Sequence, residues 1–188
     1  VGAYTAFARG GVSGRPRYTP DATVHEARLM SAGAAFIVRD ILEAGGPLTR
    51  HVEGTVGARR GIAWKTGTSF GFRDAWAVGV SDRHTVGVWV GRPDGTPNPG
   101  FFGANIAAPL LVDVFSAIET PASFQPTPPA EVTQARVCWP VGTRTDGLPP
   151  ALCHQERTAW LLDGAAPPTF ADRLRDGSAR YVDARDAA

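Results

Sequence analysis

The sequence predicts an α+β fold: a three-stranded antiparallel meander with helices packed on it, followed by a small β-rich, disulfide-linked segment. Three observations carry this expectation. Strand-like runs at 61–69, 73–80 and 84–91 are joined only by short connections around Gly71-Phe72 and Ser81-Asp82-Arg83, which suits antiparallel neighbours. Helical spacing of apolar residues recurs on either side of these runs, from Ser31 to Ala44 and from about Asn105 to Glu119. A composition break then begins at Thr120, where four prolines fall within residues 120–131 and favour an extended linker over a packed element.

The composition bounds what the chain can be. With 188 residues and 43% hydrophobic content it has ample material for a packed core. Its 19 Lys and Arg nearly balance 18 Asp and Glu, and no basic block stands out, so the electrostatic footprint of a nucleic-acid binder is missing. Nothing resembles a signal peptide or a membrane span, and any anchor or export signal is expected outside this chain.

Taken in order, residues 1–9 have helical spacing with no capping residue before them, so the chain is expected to begin inside a helix that stops at Gly10-Gly11. Residues 12–23, broken by Gly14, Pro16 and Pro20, read as a loop with a short extended piece near Arg17-Tyr18-Thr19. Ser31 reads as the N-cap of the next helix, which would bury Ala35, Ile37, Val38, Ile41 and Leu42 and close at Gly45-Gly46-Pro47. In the second and third strands both alternating sets are apolar or small, so both sheet faces are expected to be covered, with Trp64, Trp76 and Trp89 as core aromatics. Ile106, Leu110, Leu111, Val114 and Ile118 would give the later helix its apolar stripe.

The domain reading is therefore 1–119 as one packed piece, 120–135 as linker, and 136–188 as a second small piece with a charged tail from Asp172 expected to be disordered. In the second piece two short strands flank a loop, and Cys138 and Cys153 lie one on each side of it. A Cys138–Cys153 disulfide is the economical expectation; the alternative is two buried free thiols in a reducing compartment. With His154 these cysteines supply too few ligands for zinc, and no metal or cofactor is expected.

The richest chemistry lies in the first strand. In Gly61-Ile62-Ala63-Trp64-Lys65-Thr66-Gly67-Thr68-Ser69, apolar residues give way to a cation, hydroxyls and a glycine, the profile of a binding edge. Lys65 is the only lysine in the chain, and a lysine's compact charge suits proton handling and point-charge binding of an anion. The bland reading is a solvated edge strand. His51 and His84 have no triad context, and Gly67, Gly71 and Gly79 are not followed by a helix as a phosphate-binding loop requires.

Lys65-Thr66-Gly67-Thr68 with Ser69, the run from Gly71 through Asp74 to Ala77, and the run from Trp89 to Thr96 together resemble the penicillin-binding transpeptidases, serine acyltransferases that cross-link peptidoglycan. The stretch from Ile62 to Gly95, with Cys138-Trp139-Pro140, Cys153-His154 and the run from Trp160 to Pro168, is similar to the bifunctional class A members and their C-terminal module. The resemblance extends to about Phe170 and implies a partial serine transpeptidase/β-lactamase-like domain at 1–119. It also implies a substrate peptide ending in D-alanyl-D-alanine, and β-lactams that imitate it. Thr66, Gly67, Thr68 and Ser69 would bind that substrate. Lys65 and Thr68 would be the catalytic contributors, the Lys65 charge and the Thr66 and Thr68 hydroxyls holding the terminal carboxylate and the Thr68 N–H supplying half of an oxyanion hole. Arg73 and Asp74 form either an exposed ion pair or a substrate-side feature.

The departures from the family pattern are equally informative. The family needs a serine three residues before a lysine, and residue 62 is Ile62; it needs serine, any residue, then asparagine, and the only asparagines, Asn98 and Asn105, follow Thr96 and Gly103. The chain is thus expected not to acylate alone. It reads as the C-terminal half of a transpeptidase domain, partnered by a missing N-terminal part of the same protein, on the periplasmic face of a bacterial inner membrane. The competing reading is a non-catalytic binding or scaffold module in cell-wall assembly. A third, a cytosolic hydrolase, would need a nucleophile among seven serines that lack persuasive partners.

Overall fold

The computed structural model describes residues 1–44, 61–119, 127–139, 142–147, 153 and 155–166. Two compact units divide the chain, Val1–Pro129 and Ala130–Ala188.

The first unit opens with a 3-10 turn, Gly2–Tyr4, that runs directly into the single-turn helix α1, Thr5–Ala8. The Thr5 hydroxyl donates to the Gly2 carbonyl at 2.6 Å and accepts the Gly14 N–H at 2.8 Å, so one side chain ties the turn to the strand that follows. That strand, β1 (Val12–Gly14), pairs antiparallel with β2 (Glu26–Arg28), and the Arg9 guanidinium meets the Glu26 carboxylate beside the pair. The extended piece expected at Arg17-Tyr18-Thr19 is not a strand. Pro16 and Pro20 withhold two N–H donors there, and the ladder forms on either side of them instead.

Helix α2 (Ala32–Ala44) is capped as expected: the Ser31 hydroxyl accepts the Ala34 N–H at 3.1 Å. Its buried side corrects the sequence reading, because Val38 and Ile41 are exposed whereas Ala35, Phe36 and Arg39 turn inward. Arg39 can occupy that row because its charge is matched, by Asp82 at 2.7 Å and Glu43 at 3.0 Å. The expected stop at Gly45-Gly46-Pro47, and His51, lie outside the described residues.

Strands β3 (Ala63–Thr68), β4 (Asp74–Val80) and β5 (Thr85–Gly91) form one sheet in that order, with both pairings antiparallel. After the loop a π-helical turn, Gly103–Ala107, continues into helix α3, Ala108–Ile118. The core lies between α3 and one sheet face, where Trp64, Ala75, Ala77 and Val88 meet Ala107, Ala108, Leu111 and Phe115. The close approach is set by Gly79: a Cβ there would stand 2.6 Å from the Phe115 ring and 3.0 Å from Leu111 Cδ2. Leu110 and Ile118, expected in the buried stripe, are about half exposed, since the seam follows the 107–111–115 row.

The opposite sheet face corrects a further expectation. Ala63 and Val80 are buried at one end of it, but Trp76 and Trp89 are each 43% exposed. They are cross-strand partners, with ring centroids 6.4 Å apart. Alternation alone could not say which face α3 would cover; the small residues of the Ala75, Ala77, Gly79 row let it approach as closely as it does.

In the second unit, β6 (Val132–Cys138) and β7 (Glu156–Leu162) pair antiparallel, from Val132 opposite Leu162 to Cys138 opposite Glu156. The strand thus begins inside the span read as linker. Val132, Val137, Cys138 and Leu161 are buried, and Cys138 is disulfide-bonded to Cys153 with Cα atoms 5.4 Å apart. The Arg157 guanidinium lies 5.0 Å from the Trp139 ring centroid. His154, Pro140 and the charged tail are outside the described residues.

Candidate active site

The candidate site is the outer edge of β3, and its geometry follows from strand alternation. Lys65 and Gly67 project to one face, Thr66 and Thr68 to the face that carries α3. Lys65 is exposed, and its ammonium donates to the Thr66 carbonyl at 2.5 Å. The three polar side chains are therefore not on one surface. What they share is the edge, around which a ligand lying along the strand could meet both sets.

The backbone of that edge can be oriented from the ladder. The Ser69 N–H donates inward to the Asp74 carbonyl at 2.9 Å. In an antiparallel pair such bonds come from alternate residues, so the N–H groups of Thr68 and Thr66 point away from β4, toward the outer edge. Ser69 itself is occupied in closing the turn: its hydroxyl accepts the Asp74 N–H at 2.8 Å. The Thr68 hydroxyl accepts the Gly103 N–H at 3.0 Å across the core face.

Around this edge the turn and the long loop are fastened together. The turn contains the 3-10 segment Phe70–Phe72, with φ +75° at Gly71 and +57° at Phe72. The Asn98 N–H donates to the Phe72 carbonyl at 2.9 Å, and the Phe72 and Phe102 rings meet edge to face at 5.1 Å. Phe70 stands almost wholly in solvent. Asp74 does not form an ion pair with Arg73; it accepts the Trp89 indole N–H at 2.9 Å. That bond, then the Ser69 hydroxyl, and in lesser degree the Arg73 charge, hold the Asp74 carboxyl below the usual carboxylate value.

Two further groups had no signal in the sequence. Arg39, on α2, reaches Asp82 in the turn between β4 and β5, a partner 43 residues away. In the same turn His84 Nδ1 lies 2.7 Å from Glu119, and the Ser81 hydroxyl hydrogen-bonds the same carboxylate. This is not a nucleophile triad: the carboxylate lies between the serine and the histidine, so the imidazole is not placed to take the serine's proton. Among the described residues no cluster of His, Cys, Asp or Glu could hold a metal ion, and no helix is long and apolar enough to cross a membrane.

Compared with known proteins, the chain resembles the penicillin-binding proteins over nearly its whole length. Residues 131–161 match the family model described as the penicillin-binding protein 1C linker domain. Among curated proteins, penicillin-binding protein 1C of Escherichia coli (strain K12) is 45% identical over 173 residues, 89% of this chain and 22% of that protein. Penicillin-binding protein 1A of Clostridium tetani (strain Massachusetts / E88) is 27% identical over 157 residues, 78% of this chain and 19% of that protein. The chain spans about a fifth of the length of these relatives. Its fold is shared with the crystal structure of penicillin-binding protein 1A from Haemophilus influenzae, at a TM-score of 0.67 and 18% identity over 90% of this chain and 32% of that one.

Proposed function

We propose that this chain acts as the C-terminal part of a peptidoglycan D,D-transpeptidase, supplying the substrate strand Lys65-Thr66-Gly67-Thr68 but not the nucleophile. The observation that carries this reading is the outward-facing N–H of Thr68 on a strand edge that pairs with no further strand among the described residues and also bears the Lys65 cation. A stem peptide ending in D-alanyl-D-alanine laid along that edge would place its terminal carboxylate near Lys65 and the Thr66 and Thr68 hydroxyls. Its scissile carbonyl oxygen would lie against the Thr68 N–H, a preorganised donor for the charge that develops there. A β-lactam would occupy the same edge. The nucleophilic serine, its lysine, the second oxyanion donor and a glycosyltransferase domain with its anchor would belong to the rest of the same protein, acting on the periplasmic face of the inner membrane. By itself the chain would not acylate.

A second reading has one observation in its favour: the sequence holds neither serine-x-x-lysine nor serine-x-asparagine. On that reading the chain is a binding or scaffold module in cell-wall assembly. One experiment separates the two. Membranes of the source cells are treated with labelled penicillin, and an antibody raised to this chain captures what carries it. A labelled band far larger than 19.8 kDa supports the transpeptidase; an unlabelled band of the chain's own size transfers the assignment to the module. In the labelled protein, Lys65→Ala should slow acylation by at least about ten-fold, the loss expected for one charge-assisted contact. An unchanged rate would mean that the strand has been misassigned.

A further inference from the structure

The contact between Thr68 and Gly103 is unusual for the amount of structure it fixes. Gly103 is buried at the start of the helical run that becomes α3, and its N–H donates to Thr68 Oγ1 at 3.0 Å. A Cβ at this position would stand 2.5 Å from the Gly67 carbonyl oxygen, 2.5 Å from that of Trp76 and 3.1 Å from the Gly67 nitrogen. All three are backbone atoms of the β3–β4 ladder and cannot swing aside as a side chain would. Only glycine lets the helix begin against the strand at this point.

The consequence is for the hydroxyl. A threonine hydroxyl has one hydrogen and two lone pairs, and its rotor normally turns to suit its surroundings. Here one lone pair receives the Gly103 N–H, so the hydroxyl hydrogen must point away from that donor. Accepting a hydrogen bond also polarises the O–H and makes it a better donor. Thr68 is exposed at the end of β3, with its own N–H directed to the outer edge.

We propose that Gly103 is a positioning residue of this site, whose N–H and missing side chain fix the Thr68 hydroxyl as a donor toward an anionic carboxy-terminus bound along β3. Gly103 touches no substrate; it acts through Thr68 and sets the preference for a ligand that ends in a free carboxylate. The inference rests on the transpeptidase reading above.

Its test has two arms. In the 188-residue chain, amide hydrogen exchange at Gly103 is followed in Thr68→Val and Thr68→Ser. Exchange should accelerate in the valine variant, which has no acceptor, and stay slow in the serine variant; equal protection in both overturns the proposal at its geometric base. In the penicillin-labelled protein, acylation rates are measured with a penicillin and with its carboxylate methyl ester. Gly103→Ala and Thr68→Val should each slow the free acid by about ten-fold or more and the ester much less. The double variant should lose no more than Thr68→Val alone, because both act through one hydroxyl. Equal slowing of acid and ester, or additive losses, would mean that Gly103 is only structural. Should Gly103→Ala misfold, the exchange arm still decides, since protection at Gly103 that is the same with and without an acceptor at position 68 overturns the proposal. A wild-type protein that takes no label from either compound defeats the transpeptidase reading itself, whatever Gly103 does.

Discussion

Reduction of Cys138–Cys153 is the perturbation whose size can be worked most directly. The bridge joins residues 15 apart in sequence. Restricting a loop of that length removes about 10 cal/mol/K from the unfolded chain, or about 3 kcal/mol at 25 °C. The structure it supports is small: two paired strands with Val132, Val137, Cys138 and Leu161 as the buried residues, and a two-stranded ribbon is marginal in water without such a constraint. Amide hydrogen exchange along β6 and β7 is the appropriate assay, because it reads local opening residue by residue. In the reduced chain, protection of the β6–β7 ladder should fall by roughly a hundred-fold, at about ten-fold per 1.4 kcal/mol. The ladders of β3, β4 and β5 serve as an internal reference. Protection of β6–β7 that is unchanged on reduction would refute the reasoning, since the hairpin would then owe its stability to packing alone. A loss spread equally over β3–β5 would refute it in another way, by showing that the two units do not open separately.

Two further outcomes follow from charged groups. Asp82→Ala should destabilise the chain by about 1–3 kcal/mol in urea unfolding, because the buried Arg39 guanidinium loses its 2.7 Å partner while keeping Glu43; a change below about 0.5 kcal/mol would mean that the pair is not formed in solution. Trp89→Phe removes the largest cause of the depressed Asp74 pKa, so the carboxyl, followed by NMR between roughly pH 2 and 5, should titrate at higher pH than in the wild type. The sign follows from linkage: a depressed folded-state value adds stability that is present above the unfolded value and is lost as pH falls through the folded one, so the variant should lose the part of this contribution that the indole supplies. An unshifted titration would show that the indole N–H does not reach the carboxylate.

The residues themselves determined a good deal. Turn chemistry at Gly71 and Ser81-Asp82, with apolar alternation, located the three strands to within two residues; Ser31 marked the cap of α2, and the proline run marked where the composition changes. Lys65-Thr66-Gly67-Thr68 could be singled out because a lone lysine followed by hydroxyls and a glycine is a poor strand interior and a good strand edge. All of these are local signals, carried by neighbours in sequence. What only the tertiary structure decided is which groups meet. The sheet face that receives α3 is the one where Gly79 and its small neighbours let the helix approach closely, and Trp76 and Trp89 are left outside although both looked like core residues. Arg39 turned inward, against its composition, because Asp82 waited 43 residues away. The partner of Thr68 is a backbone N–H 35 residues downstream, at a glycine indistinguishable in sequence from any loop glycine. A hydroxyl's direction depends on what approaches it in space, and a one-dimensional pattern holds no record of that approach.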